Sequence, residues 1–131
     1  MKPLYHAIPY SAEETVAHIL ENYSEYKNYY LATEDLAIYE FFVSKFGERL
    51  YTTEQDRFDP SEVNCYLAEF TKKEEIDVRK KSIDYLKVLY SLSSCESIVG
   101  IQCGSLSVAA LINGGAYKRF EILSKGVYEA E

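Results

Sequence analysis

The sequence contains no tryptophan, only two histidines and three cysteines, and no long uninterrupted apolar run. A membrane-spanning helix needs about 20 consecutive apolar residues, so we predict no transmembrane segment. The first ten residues have neither a sustained apolar core nor a small-residue cleavage site, and nothing in them marks export. The cytoplasm is therefore the predicted compartment.

The few cysteines and histidines limit the chemistry that the chain can perform. Cys65, Cys95 and Cys103 include no CxxC pair, and an odd count without an export signal favours reduced thiols. No metal-ligand spacing appears, so no metal site is predicted. His6 and His18 are the histidines available as a general base, but we expect His18 to be exposed and interpret His6 as a loop contact or an ordinary polar residue. No catalytic residue is assigned.

The charge balance is acidic, with a formal net charge of −7. Nucleic-acid binding needs clustered Lys and Arg to displace counterions, so no nucleic-acid partner is expected. The one basic cluster, in residues 72–81, is interrupted by acids and is interpreted as a solvated helix face. Thirteen tyrosines leave a second function class open, a small acidic protein that binds a partner through the surface area of its aromatic side chains.

What the chain does contain fits one domain, because 131 residues, 47% of them hydrophobic, can bury a core. We predict a single domain over residues 1–131. Ser11 and Glu14 form a capping-box pattern that predicts a helix over residues 12–23. On this helix Ala12, Val16, Ile19, Leu20 and Tyr23 follow at one-face helical spacing.

The next segment has the order of a βαβ unit. Residues 29–32 are rich in β-formers and predict a buried strand, and residues 49–52 predict a second one. Between them an apolar helical stripe runs to Phe46 and ends at Gly47, with Thr33 as its predicted cap and Glu34 and Asp35 in its first turn. The two strands are expected to be parallel, with a right-handed crossover.

A long loop is predicted over residues 53–71, and the sequence contains no internal repeat. Residues 72–94 predict one helix or two, with a buried side made of Ile83, Leu86, Leu89, Tyr90 and Leu92. A strand is predicted over residues 97–101, followed by a helix over residues 106–112 that Ser105 caps and residues 113–115 end. A final strand within residues 117–123 completes an α/β fold.

The turn over residues 100–107 is the best candidate site. A strand that ends in small residues and feeds a helix directs backbone N–H groups outward, and such a corner binds anions. We therefore interpret residues 82–112 as one phosphate-binding corner, with an ordinary strand-to-helix turn as the alternative. Thr33, Glu34 and Asp35 would hold a ribose or base at the same sheet edge or simply cap a helix, and Asp84 would bind a ligand or be an exposed acid.

Several short segments of the sequence resemble motifs of the fucosyltransferase-like glycosyltransferases of the GT-B architecture. This clan contains the nodulation fucosyltransferase, the α-1,6-fucosyltransferases and the protein O-fucosyltransferases. Residues 30–35 are similar to the family's strand ending in Ala-Thr-Asp-Asp, and residues 46–51 to the phrase that follows its helix. Residues 82–86 and 92–100 resemble its Asp-bearing helix and Leu-Ser-x-Cys-Asp phrase. Residues 104–107 resemble its Ser-Ser-x-Ser turn, which holds the diphosphate of GDP-fucose. The resemblance spans residues 3–112.

The resemblance implies a three-layer Rossmann-like domain with a mostly parallel sheet, equivalent to one half of a GT-B enzyme. It implies a GDP-sugar as donor substrate, a glycan acceptor, and no metal or other cofactor. The donor-binding residues that it implies are Thr33, Asp35, Asp84, Gly104, Ser105 and Ser107. Two positions depart from the family, since Glu34 replaces an Asp and Gly104 replaces a Ser.

The family also carries a basic motif just before the region that matches residues 3–9, and this chain starts after it. We therefore expect a partial glycosyltransferase that depends on an N-terminal domain or a second chain and is inactive alone. The alternatives are a non-catalytic acidic binding or inhibitor protein and a generic nucleotide-binding regulator.

Overall fold

The computed structural model of the protein describes residues 8, 10–59, 78–101 and 103–126. This part has a mixed α/β architecture, with four α-helices and two parallel two-stranded sheets. The chain divides into two compact units, Met1–Glu25 with Leu89–Glu131, and Tyr26–Val88. Each unit is described by itself, and the single domain over residues 1–131 stays a prediction.

The unit Tyr26–Val88 contains the predicted βαβ order. Its elements are β1 (Tyr29–Tyr30), α2 (Leu36–Phe46), a 3₁₀ turn (Gly47–Arg49) and β2 (Leu50–Tyr51). The strands are shorter than predicted, but they pair in parallel, with Tyr29 opposite Leu50 and Tyr30 opposite Tyr51. The parallel pairing of these two strands is confirmed.

The N-cap of α2 lies two residues after the predicted cap, Thr33. Asp35 is the N-cap, and its carboxylate accepts a hydrogen bond from the N–H of Ile38 at 3.1 Å. Thr33 instead accepts a bond from the N–H of Asp35 at 3.1 Å. The prediction that Thr33 caps the helix was wrong, because a carboxylate one residue before the first turn reaches the free amides that Thr33 does not reach.

Apolar packing in this unit centres on α2. Phe42 and Phe46 are 5% and 6% exposed, and the ring of Tyr29 lies 4.7 Å from that of Phe46. The helix ends at Gly47, whose backbone has φ 54° and ψ −127°, a conformation that residues with a Cβ rarely adopt. The sequence expectation that Gly47 terminates α2 is confirmed.

The segment after β2 is bonded back to the start of α2. Phe58 donates its N–H to the carbonyl of Glu34 at 2.8 Å and accepts from the N–H of Leu36 at 2.9 Å. The hydroxyls of Tyr30 and Thr53 also form a hydrogen bond. The first part of the predicted loop is therefore ordered against α2, and its residues 60–71 lie outside the described residues.

Helix α3 (Val78–Ser93) lies within the predicted helical segment, whose residues 72–77 are outside the described ranges. Its buried side differs from the prediction. Leu89 is buried and Leu92 is half-buried, but Ile83, Leu86 and Tyr90 are 42%, 51% and 59% exposed. Val88 packs inward with Leu89 instead. Helical spacing identifies an apolar stripe, but the neighbours of a helix decide which side is covered.

The other unit begins with α1 (Ala12–Asn22), and the predicted capping box is present. The N–H of Glu14 donates to Ser11 Oγ at 3.1 Å, and the N–H of Ser11 donates to Glu14 Oε1 at 3.2 Å. Three predicted members of the apolar face are buried, namely Val16, Ile19 and Tyr23. Leu20 is 48% exposed, so its placement on the buried side was wrong.

The sheet of this unit pairs β3 (Ser97–Gly100) with β4 (Arg119–Ile122) in parallel, with Gly100 opposite Ile122. Side chains alternate between the faces of a strand. Glu121 contacts α1, whereas a Cβ on Gly100 would lie 3.6 Å from Leu106 on the following helix. The two strands therefore have a helix against each face, as parallel strands require.

Helix α4 (Gly104–Asn113) connects β3 to β4. It begins before the predicted cap, Ser105, because the N-cap is Cys103, and no side chain makes a cap hydrogen bond there. The predicted end is confirmed, since Gly114 adopts the left-handed conformation with φ 73° and its N–H bonds to the carbonyls of Ala110 and Leu111.

Candidate functional site

The corner between β3 and α4 is the predicted anion site. Cys103 has extended backbone geometry and leads directly into the first turn of α4, which contains no acidic residue. A thiol is a poor hydrogen-bond acceptor, so the cap residue Cys103 itself offers no side-chain oxygen to the positive end of the helix dipole. A Cβ built on Gly104 meets no atom within 4 Å, so the approach to this turn is open.

The two predicted serines at this corner have different environments. Ser105 is half-buried in the first turn. Ser107 is exposed, but its hydroxyl donates to the carbonyl of Cys103 at 3.3 Å and its N–H bonds to the same carbonyl at 3.2 Å. The Ser107 hydroxyl must turn away from Cys103 before it can donate to a ligand. Backbone amides are therefore the main anion donors at this corner.

Thr33 and Asp35 lie between β1 and α2, where both side chains accept hydrogen bonds from backbone N–H groups. Thr33 Oγ1 accepts from the N–H of Asp35, and the Asp35 carboxylate caps α2. The Thr33 carbonyl accepts a hydrogen bond from the amide of Gln55 at 3.4 Å. Capping of α2 thus accounts for Asp35, and the use of either residue by a ribose or base stays a prediction.

Asp84 lines a polar cavity of about 360 Å³ in the same unit as Thr33. Its side chain is only 15% exposed and lies 3.7 Å from Lys80 Nζ, so it is not the exposed helix acid of the alternative interpretation. Lys80 also contacts Asp56 at 3.4 Å, and these carboxylates raise the pKa of Lys80, chiefly through the hydrogen bond that Lys80 donates to Asp56. Gln55 lines the same cavity, and its side-chain amide donates to the Thr33 carbonyl.

The structure therefore places the six predicted site residues in two groups. Thr33, Asp35 and Asp84 belong to the unit Tyr26–Val88. Gly104, Ser105 and Ser107 belong to the other unit, in the first turn of α4. The convergence of the two groups at one sheet edge stays a prediction.

Sequence reasoning missed a polar cluster between α1 and β4. Glu121 Oε1 accepts a hydrogen bond from the buried Tyr23 hydroxyl at 2.8 Å and lies 2.7 Å from His18 Nε2. Arg119 stacks on the Tyr23 ring, 3.8 Å from its centroid, and bonds to Glu25 at 3.0 Å. No local sequence pattern predicts this cluster, because Glu121 lies 103 residues from His18 and 98 residues from Tyr23 along the chain.

The position of His18 corrects one prediction. Its side chain is 22% exposed rather than fully exposed, because Glu121 holds it against β4. Its other ring nitrogen lies 3.3 Å from the amide nitrogen of Asn22. Both nitrogens are therefore engaged, and the arrangement suits a structural contact between α1 and β4 better than a general base. His6 lies outside the described residues.

The cluster predicts an acid-dependent loss of stability. The hydrogen bond with His18 and then that from Tyr23 hold the pKa of Glu121 below its ordinary value. The resulting stabilisation is present above the ordinary carboxyl pKa and is lost as the pH falls through the lowered pKa. Because the carboxylate is 39% exposed and screened by solvent, we expect less than about 1 kcal/mol.

Urea unfolding at neutral pH and at about pH 3 measures this contribution. Glu121→Gln should lose the pH-dependent part, and Glu21→Gln should behave like the wild-type protein because Glu21 has no ion-pair partner in the described part of the chain. An unchanged pH dependence in Glu121→Gln would contradict the assignment.

Cys95 and Cys103 are free thiols, and Cys65 lies outside the described residues. Burial raises the pKa of the Cys95 thiol, which donates to the carbonyl of Ser91 at 3.4 Å. Within the described ranges, no group of three or more His, Cys, Asp or Glu side chains is placed to hold a metal ion. Among those same residues, no helix has the length and apolar character needed to cross a membrane.

Comparison with protein-family models, curated proteins and solved structures finds no significant match to this chain.

Proposed function

We propose that this chain binds the diphosphate of a nucleotide-sugar donor at the N-terminus of α4, as the donor-binding part of a fucosyltransferase-like glycosyltransferase. The observation that carries the proposal is the junction of β3 and α4, where the helix begins at Cys103 without a side-chain cap. An anion at this position supplies the acceptor oxygens that the cap residue does not.

Three features of the corner suit a diphosphate. The first turn of α4 contains no acid that would repel it, and Gly104 leaves the approach open. The turn follows the carboxyl end of a parallel strand, which is where α/β sheets bind ligands. Backbone amides and the helix dipole then act together on the phosphate oxygens.

The assignment of a particular donor and acceptor rests on the sequence resemblance. The phrases at residues 30–35, 82–86, 92–100 and 104–107 support a GDP-sugar as the donor and a glycan as the acceptor. The parallel β1–α2–β2 and β3–α4–β4 orders are compatible with a three-layer Rossmann-like domain, half of a GT-B enzyme, and we extend the proposal to that fold. A cytoplasmic location and a cofactor-free reaction belong to the same proposal.

In the proposed reaction, the sugar moves from the donor to a hydroxyl of the acceptor, and the nucleoside diphosphate leaves. Negative charge develops on the leaving diphosphate, and preorganised N–H groups at the start of α4 stabilise it.

One structural observation favours the second candidate function, a protein-binding role. Ile83, Leu86 and Tyr90 leave an apolar stripe of α3 exposed, where the helical pattern predicts burial. Contiguous exposed apolar side chains mark interaction sites. A protein-binding role without catalysis is compatible with this surface.

Calorimetric titration with GDP tests the donor site. We expect GDP to bind and to raise the melting temperature, because a ligand that binds only the folded state stabilises it. Ser105→Glu should weaken GDP binding by about tenfold or more, since a carboxylate in the first turn repels phosphate and itself occupies the helix terminus. The same substitution should preserve folding, because an acid near a helix N-terminus is favourable.

Ser24→Glu is the matched control, because Ser24 is an exposed residue of the same unit outside α4. It should bind GDP like the wild-type protein, and guanosine, which lacks phosphate, should bind neither variant tightly. The absence of GDP binding, or an equal loss in both variants, would refute the donor site.

A further inference from the structure

The outer side of α3 carries two cations that flank exposed apolar residues. Arg79, Ile83, Leu86 and Lys87 occupy positions i, i+4, i+7 and i+8, which lie within an arc of about 100° on a helix. Arg79 and Lys87 are exposed, and neither has an ion-pair partner among the residues that the structure describes. We name these four residues the basic stripe.

Helix α1 has the same spacing with the opposite charge. Glu13, Ala17, Leu20 and Glu21 also occupy positions i, i+4, i+7 and i+8, and all four are exposed. Glu13 and Glu21 likewise have no ion-pair partner within the described ranges. We name these residues the acidic stripe.

The two stripes are complementary in charge and in length. In each, the charged residues are eight positions apart, about 12 Å along the helix axis, with the apolar or small residues between them. Two such helices that run in the same direction place Arg79 opposite Glu13 and Lys87 opposite Glu21, and they align the leucines of the two stripes. Apolar contacts between Leu86 and Leu20 would lie between these ion pairs.

We propose that the basic stripe of one molecule binds the acidic stripe of a second copy of this chain. The charge distribution supports the choice of occupant. Helix α3 carries four basic residues and one acid, a net charge of +3, whereas the whole chain carries −7. The basic surface of an acidic protein is complementary to another part of the same protein.

An anionic membrane is a less suitable occupant, because its charges are not fixed at the spacing of Arg79 and Lys87, whereas those of the acidic stripe are. The helix also borders an open concavity of about 330 Å³ lined by Arg79, Lys80, Ile83, Asp84 and Lys87, in which three cations outnumber one acid. Exposed ion pairs are individually weak, so we expect reversible association that weakens with salt.

Sedimentation equilibrium of the full chain tests the proposal with charge-reversed variants. Lys87→Glu and Glu21→Lys should each weaken self-association by about tenfold or more, because each places like charges in contact. The double variant Lys87→Glu/Glu21→Lys should recover it to within about threefold, as should an equimolar mixture of the two single variants. Lys27→Glu and Glu48→Lys are matched controls, because both residues are exposed and lie outside the stripes.

The wild-type protein should associate at low salt and dissociate at about 0.5 M salt, where the screening length is only a few Å. The proposal is overturned if the wild-type protein stays monomeric at about 1 mM in low salt, where even weak pairing is populated. It is also overturned if the controls weaken association as much as the stripe variants, or if the double variant does not recover. Binding to phosphatidylserine vesicles without self-association would assign the surface to a membrane instead.

Discussion

Replacing Phe46 with alanine should lower the free energy of unfolding by about 3–5 kcal/mol, a large part of the 5–15 kcal/mol typical of a domain. Phe46 is 6% exposed, and its ring packs 4.7 Å from Tyr29 and 5.7 Å from Phe42. The substitution removes a buried ring and leaves a cavity that α2 and β1 cannot close without moving.

The loss should extend to the β1–β2 pair. Arg49 lies over the Tyr29 ring, 5.0 Å from its centroid, and also bonds to the carbonyls of Tyr26 and Lys27 at 2.7 and 3.0 Å. A Tyr29 ring without Phe46 behind it no longer holds Arg49 in one position. The single substitution therefore weakens packing both before α2, at Tyr29, and after α2, at Arg49.

Urea unfolding followed by circular dichroism measures the Phe46→Ala effect. Phe120→Ala is the matched control, since it removes the same ring from a position that is 47% exposed and should cost less than about 1 kcal/mol. Similar losses in the two variants would show that Phe46 is not the packing centre of its unit.

Gly47→Ala should lower the free energy of unfolding by about 1–3 kcal/mol through the backbone alone. Gly47 has φ 54° and ψ −127°, and a Cβ built there meets no atom within 4 Å. The cost therefore comes from forcing an L-residue into this conformation and not from a steric clash with neighbours.

Gly104→Ala separates the two explanations in the same unfolding experiment. A Cβ on Gly104 also meets no atom within 4 Å, but its backbone is helical. Alanine there should leave stability unchanged or raise it by about 0.4–1 kcal/mol. Equal destabilisation at both glycines would contradict the backbone argument for Gly47.

Local sequence signals predicted most of the secondary structure because they act over a few residues. Ser11 and Glu14 meet across one helical turn, and Gly47 and Gly114 permit backbone angles that end a helix. The parallel order of the strands also followed from the alternation of strand and helix. The caps at Asp35 and Cys103 were missed, because several short polar residues precede each helix and the pattern alone does not choose among them.

The candidate site was predictable only in part, because local patterns do not specify contacts between residues that are far apart in the sequence. The turn before α4 follows from a strand, small residues and a helix in succession. The engagement of Ser107 with Cys103, the partial burial of Asp84 beside Lys80, and the role of Gln55 depend on where backbone segments meet. A GDP titration remains the measurement that tests the proposed use of this turn.

Local sequence patterns predicted the mixed α/β character, the parallel pairing of β1 with β2, and the limits of the helices to within a few residues. Periodicity, capping and turn residues are local properties, and the chain carries them wherever it folds. Which apolar stripe is covered depended on tertiary packing. It buried Val88 and Leu89 and left Ile83 and Leu86 exposed, and it joined His18 and Tyr23 to Glu121 across about a hundred residues. Burial and long-range pairing depend on neighbours that no local pattern specifies.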